Sequence, residues 1–301
     1  MLLTECIVKF ASYLRGVERY SEHTVINYES DLTAFHSFCV ITYQTHEING
    51  ISSMHTRAWI VSLLENKLSH RSLNRKITAL STFFKYCRKM GIITTDPMTK
   101  VRRFKQPKRL PAYVPESNMQ EILHPDDLSA ESDYDDVLVH TIIVLFYTCG
   151  LRRSELIALR DGDIDTARSL IKVFGKGKKE RLVPIPTELL KKIKAYQDRR
   201  DNEVVKEDDH LFLRKNGKAL YPKLVYSMVS KTLSAVPNLE KHNPHLLRHT
   251  FATHMSDAGA DINAIKMLLG HANLAATQVY MHNSPGRLKQ IYKNAHPRAK
   301  E

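Results

Sequence analysis

Between Lys100 and Pro115 the chain carries Pro107, Pro111 and Pro115, and Arg102, Arg103, Lys105, Lys108 and Arg109 lie among them. No other segment limits the fold as much. Proline fixes its own φ, has no N–H to donate and pushes the preceding residue out of the helical region. Three of them at four-residue spacing, among like charges that repel, favour extended chain over helix or packed sheet. The segment is therefore read as a linker, with a domain boundary near residue 110. Residues 1–106 are expected to form a first domain, with basic linker to about 112, and residues 113–301 a second. A chain of 301 residues is long enough to bury a core in each.

The part before the linker reads as helices. Leu3, Cys6, Ile7, Phe10 and Leu14 recur at helical spacing between Leu2 and Leu14. Ser21 suits an N-cap, and Val25, Tyr28, Leu32, Phe35 and Phe38–Cys39 make one stripe from Thr24 to Val40. Ser52 or Ser53 opens a third helix running to Leu68. Ser69 or His70 opens a fourth, with Leu73, Ile77, Leu80, Phe83–Phe84 and Cys87 apolar, and Gly91 ends it. Thr95-Asp96-Pro97 starts a short turn or helix.

The second part is mixed. Glu116 to Leu123 and Val137 to Leu159 are expected to be helical. Leu170–Phe174 and Glu180–Ile185 are β-like runs around a hairpin turn, Gly175-Lys176-Gly177-Lys178-Lys179, and His210–Leu213 is a third short strand candidate. Helical patterns return from Thr187, read as an N-cap, and from Tyr221, His245, Ile262 and Ser284. The expected fold class is mainly α with a small antiparallel β-sheet.

Charge narrows the partner. Lys plus Arg number 45 against 32 Asp plus Glu, a net of +13. Residues 1–112 hold 17 basic and 8 acidic residues, and within 70–109 there are 12 basic residues and one acid, Asp96. Clustered cations suit phosphate contacts that release counterions. A solvated helix face followed by a basic linker is the plainer alternative. Acids concentrate between Pro125 and Asp136, without the order of an EF-hand loop, and read as a solvent loop.

The longest apolar run, Val137–Tyr147, is interrupted by His140 and falls short of the roughly 20 residues of a membrane span. Met1-Leu2-Leu3-Thr4-Glu5 has no basic n-region, so no signal peptide is expected. Cys6, Cys39, Cys87 and Cys149 are widely spaced with no CxxC pair. They are expected as reduced thiols in a cytoplasm.

Four segments carry candidate chemistry. Gly150-Leu151-Arg152-Arg153-Ser154-Glu155-Leu156 places two arginines at a helix start directly after an apolar run. Adjacent arginines on a helix diverge by about 100°, so one of them faces a given site. The plain alternative is two surface arginines, one paired to Glu155. Lys176 sits in a turn between two glycines, where lysines are common. A lysine whose pKa is depressed by neighbouring cations can also donate a proton.

His245 and Arg248, at i and i+3 after Pro244, share a helix face and suit an oxyanion or a phosphate. His245 and His249 have the i, i+4 spacing of an HExxH zinc helix, but Leu246 stands at the glutamate position and no Cys joins them. Tyr280 follows Leu268-Leu269-Gly270-His271. A lone tyrosine is usually packing, and it can attack phosphorus if cations stabilise its charge. Two arginines, a lysine, two histidines and a tyrosine can surround one phosphate. No acidic set for Mg²⁺ and no GxxxxGK[ST] loop accompanies them. Phosphoryl transfer without metal or other cofactor is the chemistry this pattern suggests.

In this order the motifs resemble the tyrosine recombinase (phage integrase) family. The likeness is carried by Gly150–Leu156, Gly175-Lys176-Gly177 with Glu180-Arg181 and Val183-Pro184, His245–Thr253, Leu269-Gly270-His271 and Tyr280. Ser21–Thr24, Tyr28, Asp31-Leu32 and Ser72–Lys76 with Leu80 and Phe83-Phe84 resemble the SAM-like core-binding domain. Within the family the chain is most similar to Xer-type recombinases, because it opens directly on these helices and has a similar length.

The resemblance implies a DNA-binding domain followed by a mixed α/β catalytic domain. It implies Tyr280 as nucleophile, Arg152 and Arg248 as phosphate clamp, and Lys176 as proton donor to the leaving 5′-oxygen. His245 would assist proton transfer and His271 would hydrogen-bond the phosphate. Arg71, Asn74, Arg75, Lys76, Arg102 and Arg103 are the expected DNA contacts. The implied partner is a double-stranded DNA recombination site in the cytoplasm, at the nucleoid. Four copies, or two copies with two of a second similar recombinase, would act on two duplexes, a C-terminal helix over Ser284–Asn294 docking on a neighbour. A DNA translocase activator is a further implied partner, and no membrane is.

The job is chromosome-dimer resolution or integration, excision or inversion of a mobile element. A type IB topoisomerase, a non-catalytic DNA-binding protein with a relic site, and a zinc hydrolase are the competing readings.

Overall fold

A computed structural model describes residues 1–105, 112–124, 132–175 and 180–270. The chain divides into two compact units, Met1–Arg109 and Leu110–Glu301. No helix among the described residues is long and apolar enough to cross a membrane.

Among the described residues the first unit holds four α-helices: α1 (Leu3–Gly16), α2 (Glu22–Tyr43), α3 (Ser53–Glu65) and α4 (His70–Lys89). The apolar stripes become its core. Phe10, Phe35, Phe83 and Phe84 are fully buried together with Leu3, Leu32 and Leu80. Ser21 takes the N-cap position of α2, but its hydroxyl bonds Thr24 Oγ1 at 2.8 Å rather than a backbone N–H. Ser52 and Ser69 do cap α3 and α4 through their hydroxyls. The third helix stops at Glu65, short of the expected Leu68. Gly91 ends the fourth with φ +68°, where a side chain would be strained.

One carboxylate ties two of these helices, and a lysine bound to it reaches a third. Asp31 of α2 is 2% exposed and receives Arg75 and Lys76 of α4, the lysine at 2.8 Å. Lys76 Nζ also lies 5.5 Å from the ring centre of Trp59 in α3. A carboxylate buried this deeply would be costly without such partners.

The second unit is built around α6 (Tyr134–Cys149), which is buried along nearly its whole surface. Packed against it are α8 (Thr187–Glu203), α9 (Pro222–Leu233) and α10 (Pro244–Asp257). The shorter α5 (Glu116–Ile122), α7 (Arg153–Ile157) and α11 (Ile262–Leu269) complete the α-helices of the described residues. Three antiparallel strands pair in the order β1 (Ile164–Asp165), β2 (Leu170–Phe174), β3 (Glu180–Pro184). The register sets Ile171 opposite Val183 and Val173 opposite Arg181. Mainly α with a small antiparallel sheet is the observed class.

Three local expectations are corrected. The helix expected over Val137–Leu159 is two helices, because the chain turns left-handed at Gly150, φ +58°. His210–Leu213 makes only isolated bridges, His210 to Arg160 and Leu213 to Ala219. The third strand is Ile164–Asp165, too short to show an alternating pattern. Thr187 is the first helical residue of α8, with Pro186 at its N-cap. The helix expected at Ser284 lies outside the described residues.

Candidate active site

The site begins with the break at Gly150. The buried helix α6 ends there and bonds Gly150 N to Phe146 O. A Cβ on Gly150 would lie 2.6 Å from Phe251 Cδ1 and 2.9 Å from Leu269 Cδ2. Glycine is thus required both by φ and by the close approach of α10 and α11. The turn delivers Arg152 to the N-cap of α7 and Glu155 to its third position.

Glu155 is the centre of the site, with its side chain 2% exposed. It accepts four hydrogen bonds: from the Arg152 backbone N–H at 2.8 Å, Arg152 Nη1 at 2.6 Å, Arg181 Nη1 at 2.9 Å and Arg181 Nη2 at 2.8 Å. Arg248 Nη1 stands 3.8 Å from it. Burial alone would raise the Glu155 pKa, but the Arg181 fork and the Arg152 bonds outweigh it and hold the carboxyl at about 2. With its lone pairs filled and its charge fixed, Glu155 is an anchor and not a proton acceptor.

The three arginines share a second set of partners. Arg181 Nε bonds Leu268 O at 2.7 Å, Arg248 Nη2 bonds Leu269 O at 2.5 Å and Arg152 Nη2 bonds Gly270 O at 3.0 Å. The carbonyls at the end of α11 are therefore each taken by a different guanidinium. Cations at a helix C-terminus also match the helix dipole. Arg248 Nη1 closes the arrangement by bonding Gly150 O at 2.7 Å.

Three cations against one carboxylate leave an excess of two positive charges. Burial first, then the neighbouring Arg152, lowers the Arg248 pKa to about 10, so it stays charged at neutral pH. Arg248 is 4% exposed and Arg152 35%, which makes Arg152 the more open of the pair. Arg153 points elsewhere, its side chain exposed and bonded to Pro222 O.

Asn243 caps α10 by accepting from Leu246 N at 3.2 Å, and Pro244 takes the first helical position. His245 lies one turn before Arg248 and is exposed, its ring 5.3 Å from that of His249. Lys176, His271 and Tyr280 lie outside the described residues. The structure thus brings Arg152 and Arg248 together and sets His245 on the same helix as Arg248.

In the first unit, Arg71, Arg75, Arg102 and Arg103 are exposed. Asn74 and Lys76 are turned to internal partners. Asn74 Nδ2 donates to Phe104 O and Asn74 Oδ1 accepts from Phe104 N, both at 2.9 Å. The His70 ring stacks on Phe104 at 5.2 Å, and Arg103 Nη2 bonds Thr78 Oγ1. Residues 103 and 104 are therefore pinned along α4.

The sequence matches the phage integrase family over residues 113–287 and the phage integrase N-terminal SAM-like domain over residues 7–91. The chain belongs to the phage integrase family. Tyrosine recombinase XerC of Chlorobaculum parvum is 32% identical to it over 314 residues, covering 96% of this chain and 94% of that protein. Tyrosine recombinase XerC of Bacillus subtilis is 31% identical, covering 96% and 95%. The Tn1549 transposon integrase in complex with transposon right end DNA superposes with a TM-score of 0.72 at 18% identity, covering 96% and 98%. XerH bound to a palindromic difH substrate gives 0.70 at 18%, covering 96% and 93%. These two show a shared fold.

As a phage-integrase-family tyrosine recombinase, the chain is an enzyme that cleaves and rejoins DNA. Sequence reasoning gave neither Glu155 nor Arg181 a role in the site. The i, i+3 spacing of Arg152 and Glu155 was a usable signal. Arg181 offered a weaker one, a cation two residues before Val183 in a β-like run, and so on the same strand face as that apolar residue.

Proposed function

We propose that the chain is a site-specific recombinase of Xer type that works through a 3′-phosphotyrosyl intermediate. The observation that carries this reading is the meeting of Arg152 and Arg248 around Glu155 at the last turn of α11. That turn leads directly into His271, with Tyr280 nine residues beyond it.

In this reading Arg152 and Arg248 bind the non-bridging oxygens and take up the charge that grows in the transition state. Tyr280 Oη forms a bond to phosphorus as the bond to the 5′-oxygen breaks. Lys176 gives its proton to that oxygen, and His245 takes part in moving the tyrosine proton. His271 donates to the phosphate. Attack by a 5′-hydroxyl of a second duplex reverses the step, so the phosphodiester energy is kept and no ATP is consumed.

The partner would be a double-stranded recombination site. Arg71, Arg102 and Arg103 would meet phosphates, while Asn74, Arg75 and Lys76 hold the surface that carries them. Four protomers, of this chain alone or with a second recombinase, would act on two duplexes in the cytoplasm. A DNA translocase would be the activator.

The test uses a nicked duplex bearing a site that the protein itself selects from a randomised library. A covalent protein–DNA band on a denaturing gel, formed in EDTA by the wild type and absent with Tyr280→Phe, is expected. A band of equal strength from Tyr280→Phe, or one that EDTA removes, contradicts the reading.

A further inference from the structure

Arg181 is the one member of the arginine cluster without a part in the reaction as described. It lies on the inward face of β3, opposite Val173, and is 12% exposed. Its planar fork spans both oxygens of Glu155 at 2.9 and 2.8 Å, and its Nε bonds Leu268 O at 2.7 Å. The packing is tight on the other side as well: a Cβ on Gly270 would come within 3.1 Å of Arg181 Cδ and Nη1. One side chain thus joins three elements, namely β3, the N-terminal turn of α7 and the C-terminal turn of α11.

We infer that Arg181 is a positioning residue for the phosphate clamp. It rests on the reading of Arg152 and Arg248 as that clamp. Without Arg181, two of the four hydrogen bonds on Glu155 disappear, and Glu155 is what aims Arg152 Nη1. The Leu268 carbonyl is also released, next to the Leu269 and Gly270 carbonyls that Arg248 and Arg152 hold. Lysine cannot replace it. A single ammonium is a point donor and cannot span both carboxylate oxygens while also reaching Leu268 O. Misplacing a charged group by about 1 Å costs on the order of 100-fold in rate even when the residue changed lies away from the reacting atoms.

The experiment compares wild type, Arg181→Lys, Arg181→Gln and Tyr280→Phe on the selected nicked duplex, protein in excess. Adduct formation rate, DNA affinity and thermal melting are measured for each. The duplex is made with either a phosphate or a methylphosphonate at the scissile position. The methylphosphonate has one charged oxygen fewer for the clamp to neutralise.

Both Arg181 variants are expected to bind DNA within about twofold of wild type and to cleave the phosphate substrate about 100-fold more slowly. On the methylphosphonate their deficit shrinks to about tenfold or less, because a defect in the clamp and a change at its target are coupled. A merely structural defect slows both substrates alike, and that outcome overturns the inference. Unchanged cleavage by Arg181→Lys overturns it as well. An adduct from Tyr280→Phe sinks the phosphotyrosyl reading instead, and the Arg181 comparison is still decided by the ratio of the two substrates.

Discussion

Glycine at 150 is specified by two separate causes, a φ of +58° and the Phe251 ring and Leu269 side chain 2.6 and 2.9 Å from where a Cβ would be. Gly150→Ala is expected to destabilise the second unit by about 2–4 kcal/mol, adding left-handed strain to overpacking. Gly91→Ala shares the positive φ but meets nothing within 4 Å. It should cost the first unit only about 1 kcal/mol. Urea unfolding of the two variants checks the difference. Glu155 makes a pH-dependent contribution. Its folded pKa of about 2 lies below the ordinary 4.5, so the stabilisation is present above pH 4.5 and is lost as the pH falls toward 2. Over that span it amounts to about 3 kcal/mol. Glu155→Gln is expected to lose about that much at pH 7, since three guanidinium groups would remain without their carboxylate. Its stability should then fall less steeply than that of the wild type between pH 4.5 and 2, measured by unfolding at a series of pH values.

At the scale of elements, the helices carry most of the agreement between sequence and structure. The apolar spacing from Leu3 to Leu14 and from Leu73 to Cys87 marks the buried faces of α1 and α4. Uniform apolar runs mark no such face. Val137–Cys149 is nearly apolar throughout, and Leu151, Leu156, Ile157 and Leu159 resume beyond Gly150, so the pattern continues where the backbone does not. The pinning of Phe104 on α4 was equally hidden, because Asn74 and Phe104 are 30 residues apart. Asn74→Ala removes both bonds to the Phe104 backbone and should cost about 1–3 kcal/mol. Trypsin should then cut at Arg102, Arg103 and Lys105 faster than in the wild type, which limited proteolysis under native conditions can measure. Unchanged cleavage would mean that the stacked His70 ring holds Phe104 by itself.

For the molecule as a whole, the net charge of +13 reports the partner's sign but not which cations meet it. Arg71, Arg102 and Arg103 are exposed, whereas Lys76 is 15% exposed and bonded to buried Asp31. Alanine at any of the three arginines should reduce the slope of log affinity against log salt by about one, read by fluorescence anisotropy from low to moderate salt. Alanine at Lys76 should instead lower the melting temperature of the first unit, because Asp31 loses one of its two cations.

What the sequence determined by itself is local and periodic: the helices from their stripes and caps, and the two longer strands from their β-like runs. The order of its motifs was enough to place it beside the tyrosine recombinases. Only the tertiary structure decided what surrounds the candidate phosphate site. Arg181 reaches Glu155 across 26 residues, Arg248 reaches Gly150 across 98 and Arg152 reaches Gly270 across 118. A repeating pattern tells a residue which face to bury, since that depends on its own element alone. Which carbonyl or carboxylate it meets there depends on how α7, β3, α10 and α11 pack, and that geometry has no periodic signature in the chain.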